Sequence, residues 1–71
     1  MMNLPTTLQH VDTTARAARN LGSAEARAER NGWLARASAE GHSTWKVAQV
    51  AQVTESTVRN ARRRASGHPS A

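Results

Sequence analysis

Ser56, Arg59, Asn60 and Arg63 carry the chemistry most legible in this chain. On a helix over 55–65, at about 100° per residue, the four fall on one side. Val58, Ala61 and Ala65 fall on the other. Arg is the commonest bidentate partner of guanine, Asn pairs with adenine, and Ser donates or accepts. A generic amphipathic helix has no need of Arg and Asn centred opposite its apolar stripe. These four are therefore candidate readers of base edges. Thr57 and Arg64 lie on one flank of that side, Glu55 and Arg62 on the other, within reach of phosphates or edge bases.

Such a helix has to be held at an angle by a partner. A short helix is expected over 44–51 with Ser43 as its N-cap, and Thr54 is placed to cap the helix after it. Gln52-Val53-Thr54 leaves three residues to connect the two. Steeply crossed helices need small residues where they touch; Ala48 and Ala51 supply them. Val47, Val53, Val58 and Ala61 form the apolar wedge between them. Ser43 and Thr44 sit where free N–H groups and the helix dipole attract a phosphate, and Lys46 adds a cation. With Thr57, Arg62 and Arg64 they form a candidate phosphate-contacting set. Such contacts fix register and orientation without reading sequence.

Two further helices are expected upstream. Over 5–21, with Pro5 in the first turn, Leu4, Leu8, Val11, Ala15 and Ala18 form one narrow apolar stripe. Gln9, Thr13, Arg16 and Asn20 fall opposite, and Gly22 is placed as a left-handed stop. Asp12 is an alternative cap for a shorter helix over 13–21. The stripe can dock on the chain's own core or pair with the same helix of a second copy. Over 24–40, Ser23 is the N-cap and Glu25 suits the positive end of the dipole. Ala26, Arg30, Trp33, Leu34 and Ala37 line one side, and Gly41 ends the helix. Asn31-Gly32 is a turn-like pair at which this helix is expected to kink or break. No strand pattern or internal repeat is visible. The organisation expected is an N-terminal helix (1–22), a binding unit (23–66) and a tail of turn and breaker residues (67–71).

At 71 residues one domain is the ceiling, with a small core filled largely by alanine. The absence of Cys removes disulfides and Cys-based zinc sites. Of the two Trp residues, Trp33 is expected in the core. Trp45, on the side of Gln49 and Gln52, is expected to pack there too, against the alternatives of a nucleic-acid sugar or a second subunit. His10, His42 and His68 are far apart and lack carboxylates at ligand spacing, so no metal is expected. No activated nucleophile, Gly-rich phosphate loop, cofactor motif or small-molecule effector site is legible, and an enzyme is not expected. No stretch is apolar enough to cross a membrane, and no leader pattern opens the chain; a cytoplasmic protein is expected. The net charge is +5. Residues 1–22 carry Arg16 and Arg19 against Asp12, and residues 23–43 balance three Arg against three Glu. Residues 44–71 hold Lys46, Arg59, Arg62, Arg63 and Arg64 against Glu55 alone. The excess positive charge thus lies beside the candidate readers, as a phosphate-binding surface requires.

Residues 47–59, Val-Ala-Gln-Val-Ala-Gln-Val-Thr-Glu-Ser-Thr-Val-Arg, resemble the helix-turn-helix of small phage and bacterial regulators. They are also similar to the DNA-binding domain of resolvases and invertases. Ala48 matches the small residue of the first helix, Val53-Thr54 the turn, Ser56-Thr57 the start of the recognition helix, and Val58 its core valine. The resemblance covers 43–62 well and 24–65 loosely. Where the turn usually holds Gly, this chain has Gln52. Gln52 must then turn left-handed, at a cost of about 1 kcal/mol, or the turn takes another shape. The resemblance implies an all-α fold, a trihelical helix-turn-helix core with an additional N-terminal helix. It also implies a double-stranded DNA partner, a homodimer on two half-sites and regulation of transcription. Two alternatives stand beside it. One is an architectural accessory factor of recombination, excisionase-like. The other is a small protein-binding adaptor using Trp45, Val50 and the N-terminal stripe.

Overall fold

The computed structural model describes residues 4–66, which form α1 (Thr6–Leu21), α2 (Ala24–Ala39), α3 (Thr44–Ala51) and α4 (Glu55–Ser66). No strand occurs among the described residues. The expected tail at 67–71 lies outside them.

The helix starts follow from side-chain caps. Ser23 Oγ accepts the Ala26 N–H at 3.1 Å, Ser43 Oγ the Lys46 N–H at 3.0 Å, and Thr54 Oγ1 the Thr57 N–H at 3.2 Å. Each satisfies one of the donors that a helix start leaves without an internal partner. α1 begins differently, behind Pro5 with no side-chain cap. Asp12 does not cap a shorter helix, because α1 is continuous there and Asp12 instead pairs with Arg16 one turn on, at 3.4 Å.

The helix stops share one backbone device. Gly22 ends α1 at φ 65°, with its N–H on the Ala18 carbonyl at 2.9 Å. After α2, Gly41 takes φ 98°. Its N–H bonds the Ser38 carbonyl at 3.1 Å, and the His42 N–H bonds the Ala37 carbonyl at 3.2 Å. That pair of bonds is the Schellman closure. α3 ends on the same closure, with Gln52 N–H to Gln49 O at 3.2 Å and Val53 N–H to Ala48 O at 3.1 Å. Gln52 itself sits at φ 58° and ψ 45°. The left-handed alternative is therefore the one realised, by a residue carrying a Cβ.

α2 runs unbroken through Asn31-Gly32, contrary to the expected kink. The Asn31 side chain, which could compete for the backbone, instead accepts from Arg30 Nε and Nη2 at 3.1 and 2.9 Å. Burial, and secondarily the neighbouring Arg27, lower the Arg30 pKa, consistent with a stem laid against the protein. A Cβ at Gly32 would meet nothing within 4 Å, so no close contact demands glycine there.

α1 and α2 form an antiparallel hairpin. Thr7, at the start of α1, donates its hydroxyl to Glu40 Oε1, just past the end of α2, at 2.6 Å. One turn later His10 stacks on Trp33, with centroids 4.2 Å apart and planes 12° from parallel. Arg36 lies over the same Trp33 ring at 5.4 Å. α3 then leaves the end of α2 and finishes beside the end of α1, where Arg19 Nη1 donates to the Ala51 carbonyl at 3.0 Å. That guanidinium supplies a donor and a positive charge at the negative end of α3.

The core lies where the helices meet. Leu8, Val11, Leu34, Val47 and Val58 are its largest fully buried side chains, with Ala15, Ala37, Ala48, Ala51 and Ala61 filling between them. The α1 stripe is spent inside this core. Leu8, Val11, Ala15 and Ala18 are buried and Leu4 is partly buried against them, so the face left open to a second copy is not this one. Trp33 is half-buried against the core, as expected. Trp45 is not: at 58% exposure its ring stands in solvent, contrary to the expected packing. The reason lies in α3, whose Val47, Ala48 and Ala51 already claim the inward face and turn Trp45 outward. No described helix is long and apolar enough to cross a membrane.

Candidate nucleic-acid interface

α4 positions the candidate readers. Val58 and Ala61 are buried, at 0% and 6% exposure, and fix the rotation of the helix. Ser56, Arg59, Asn60 and Arg63 are exposed, as the wheel requires. Ala65, expected on the core face, is exposed as well. At that point α4 is in its last two residues, and Ala65 lines shallow surface grooves against α2 instead. One groove, of about 290 Å³, is bounded by Ala28, Asn31, Gly32, Ala61 and Arg64. The other, of about 350 Å³, lies between Ala35, Ala39 and Arg62. Each groove is lined by three alanines, with Asn31, Gly32 and Arg64 completing the first and Arg62 the second, so few polar groups converge in either in the way that fixes a small ligand.

The exposed side of α4 that carries the candidate readers has contacts of its own. Arg59 Nη1 lies 3.5 Å from Glu55 Oε1, and Arg59 Nη2 lies 3.5 Å from Ser56 Oγ. The guanidinium is thus folded back along its own helix towards the α4 start. Both partners are well exposed, so the ion pair is weak, in the range of about 0–1 kcal/mol, and opens readily. The signal for it was in the sequence as an i, i+4 Glu–Arg pair. By its wheel position alone Glu55 is a flank residue.

The phosphate-contacting candidates divide. Ser43, Arg62 and Arg64 are exposed, whereas Thr44 and Lys46 are half-buried. Ser43 Oγ is already an acceptor for Lys46 N–H, so its hydroxyl hydrogen is what it has left to donate. Thr57 is half-buried, and its hydroxyl meets Thr54 Oγ1 at 3.0 Å. That contact ties Thr57 to the cap of α4 and makes it the candidate most occupied by its own fold. Thr57 and Ser56 both belong to the first turn of α4, where helix N–H groups lack internal partners. The α3 start (Ser43, Thr44, Lys46) and the first turn of α4 (Ser56, Thr57) each carry hydroxyls beside a positive helix end.

One polar cluster lies away from these residues, at the corner where α1 begins and α2 ends. Glu40 there accepts from Thr7, pairs with Arg36 at 3.5 Å and faces His42 Nε2 at 3.9 Å. The Thr7 hydrogen bond outweighs the opposing effect of burial and, with smaller help from Arg36 and His42, holds its carboxyl below the usual glutamate range. No group of three or more potential metal-ligating side chains occurs among the described residues.

Comparison with protein-family models, with curated proteins and with solved structures returned no match.

Proposed function

We propose that this chain is a sequence-specific, double-stranded DNA-binding protein of helix-turn-helix type. In this reading α4 enters the major groove, α3 crosses the backbone, and the protein acts as a homodimer that regulates transcription. The observation that carries it is the two-faced composition of α4. Val58 and Ala61 are buried, while Ser56, Arg59, Asn60 and Arg63 stand together in solvent. Those side-chain types match the donor and acceptor patterns of base edges. Lys46, Arg62, Arg63 and Arg64 add the charge that phosphates require.

A helix of this length reads only a few base pairs, so two copies on half-sites one helical turn apart would multiply the information. The α1 stripe is buried in its own core, so such a dimer would form through another surface or through DNA alone. The protein-binding alternative loses the same stripe and half of Val50, keeping Trp45 as its anchor. It predicts no salt-dependent affinity for DNA.

The test is selection of bound duplexes from random sequence, followed by inspection for a palindrome. Arg59→Ala is expected to cost about 1–3 kcal/mol and to relax preference at one base pair. Arg64→Ala is expected to weaken all sequences alike and to flatten the salt dependence by about one unit of slope. Enrichment no better than a shuffled control would remove the regulator reading. Unchanged affinity and preference in Arg59→Ala would remove the assignment of Arg59.

A further inference from the structure

Glu55 is the sole acidic residue between positions 44 and 66, a stretch that holds five cations. It is exposed, opens α4, and lies beside the four candidate readers. A carboxylate on a surface that meets phosphates lowers affinity for every sequence. Its favourable interaction with the helix dipole and its i, i+4 pairing are worth only a few tenths of a kcal/mol each. What distinguishes this position is the partner. Glu55 Oε1 and Ser56 Oγ each lie 3.5 Å from a terminal nitrogen of Arg59, so both ends of the fork point to the start of α4.

We propose that Glu55 is a specificity-determining residue, reading a cytosine in the major groove beside the guanine read by Arg59. The inference rests on the DNA-binding reading above. An ionised carboxylate only accepts hydrogen bonds. The amino groups that can donate to it in the major groove are those of cytosine and adenine, and adenine sets its N7 acceptor next to the donor. Cytosine therefore suits Glu, and adenine suits an amide. Residues four apart on a helix are separated by about 6 Å along its axis, against about 3.4 Å per base pair. The cytosine then belongs to a second G·C pair, one or two steps from the guanine that Arg59 contacts. In the free protein the same carboxylate pairs only weakly with Arg59, and on DNA its charge opposes the neighbouring phosphates. Glu55 thus lowers affinity for random DNA while adding discrimination.

The experiment is selection from random duplexes at fixed salt, run on the full chain for the unmodified protein, Glu55→Ala, Glu55→Gln and Arg59→Ala. The unmodified protein is expected to enrich two G·C pairs within two steps of each other. Arg59→Ala should lose one and Glu55→Ala the other. Glu55→Gln should replace the second pair with A·T. Both Glu55 variants should bind random duplex more tightly, by roughly three- to eightfold at 0.1 M salt, as expected for a surface relieved of one opposing charge. The G·C pair retained by Glu55→Ala reports that the variant is folded. The inference is overturned if both Glu55 variants enrich the same motif as the unmodified protein, or if that motif holds no second G·C pair within two steps. Either result leaves DNA binding standing. Absence of salt-dependent binding by the unmodified protein removes both proposals.

Discussion

Replacing Gln52 with glycine should stabilise this protein, and the size of the gain follows from its backbone. Gln52 is the only non-glycine residue at positive φ among the described residues, at φ 58° and ψ 45°. A left-handed conformation costs a residue with a Cβ roughly 1–2 kcal/mol. Glycine removes that strain but loses more backbone freedom on folding, worth about 0.5–1 kcal/mol. The Gln52 side chain is exposed, so little packing is given up. The net expected for Gln52→Gly is a gain of about 0–1.5 kcal/mol, centred at about 0.8, the difference of those two effects. In a domain of this size 1 kcal/mol moves Tm by about 4–8 °C, so the central expectation is a rise of about 3–6 °C. Gln52→Ala keeps the strain and should show no such gain. Gln52→Val, a β-branched residue at positive φ, should unfold at a lower temperature than either. Thermal unfolding followed by circular dichroism measures all three. A fall in Tm for Gln52→Gly, or a valine variant as stable as the glycine one, would refute a left-handed Gln52.

Gly32→Ala tests the unbroken α2. Since a Cβ there meets nothing within 4 Å, the substitution should add about 1 kcal/mol, read as a higher denaturant midpoint; no gain would indicate a break at Asn31-Gly32. Leu34→Ala truncates a side chain at 0% exposure and should cost about 2–5 kcal/mol, a large share of the stability of a small domain, measured by urea unfolding. Glu40 gives a pH dependence. Its folded pKa lies below the unfolded value, chiefly through Thr7, so its contribution is present above the ordinary glutamate range, about pH 4.3. That contribution is lost as pH falls through the lowered folded pKa. Thr7→Val should raise the Glu40 pKa in an NMR titration and shrink this acid-side loss. An unmoved titration would show that the hydrogen bond is not its cause.

The four helices were legible because their signals are local. Ser23, Ser43 and Thr54 cap through an oxygen three residues from the N–H they serve, and Gly22 and Gly41 stop helices through their own backbone freedom. The expected bounds fall within one or two residues of those observed. The sorting of α4 was legible for the same reason. Once Val58 and Ala61 face inward, 100° steps place Ser56, Arg59, Asn60 and Arg63 outward. Helix continuity through Asn31-Gly32 was not legible, because a turn-like dipeptide competes with packing and with the Arg30–Asn31 hydrogen bonds. Nor could the sequence say where the Arg59 guanidinium rests among its possible partners.

The sequence by itself determined the helices, their caps, the two faces of α4 and the positive charge beside it, since each depends on residues within one or two turns. Tertiary structure alone decided which apolar surfaces the chain keeps for itself. It buried the α1 stripe against α2 and α3, left Trp45 in solvent and freed Ala65 at the end of α4. It also brought Thr7 to Glu40 and Arg19 to the Ala51 carbonyl, pairs separated by 33 and 32 residues. Periodicity gives the direction in which a side chain leaves its own helix. Whether another helix, a second copy or water meets it depends on how far-apart segments share a limited core, and that is settled only when all four are packed together.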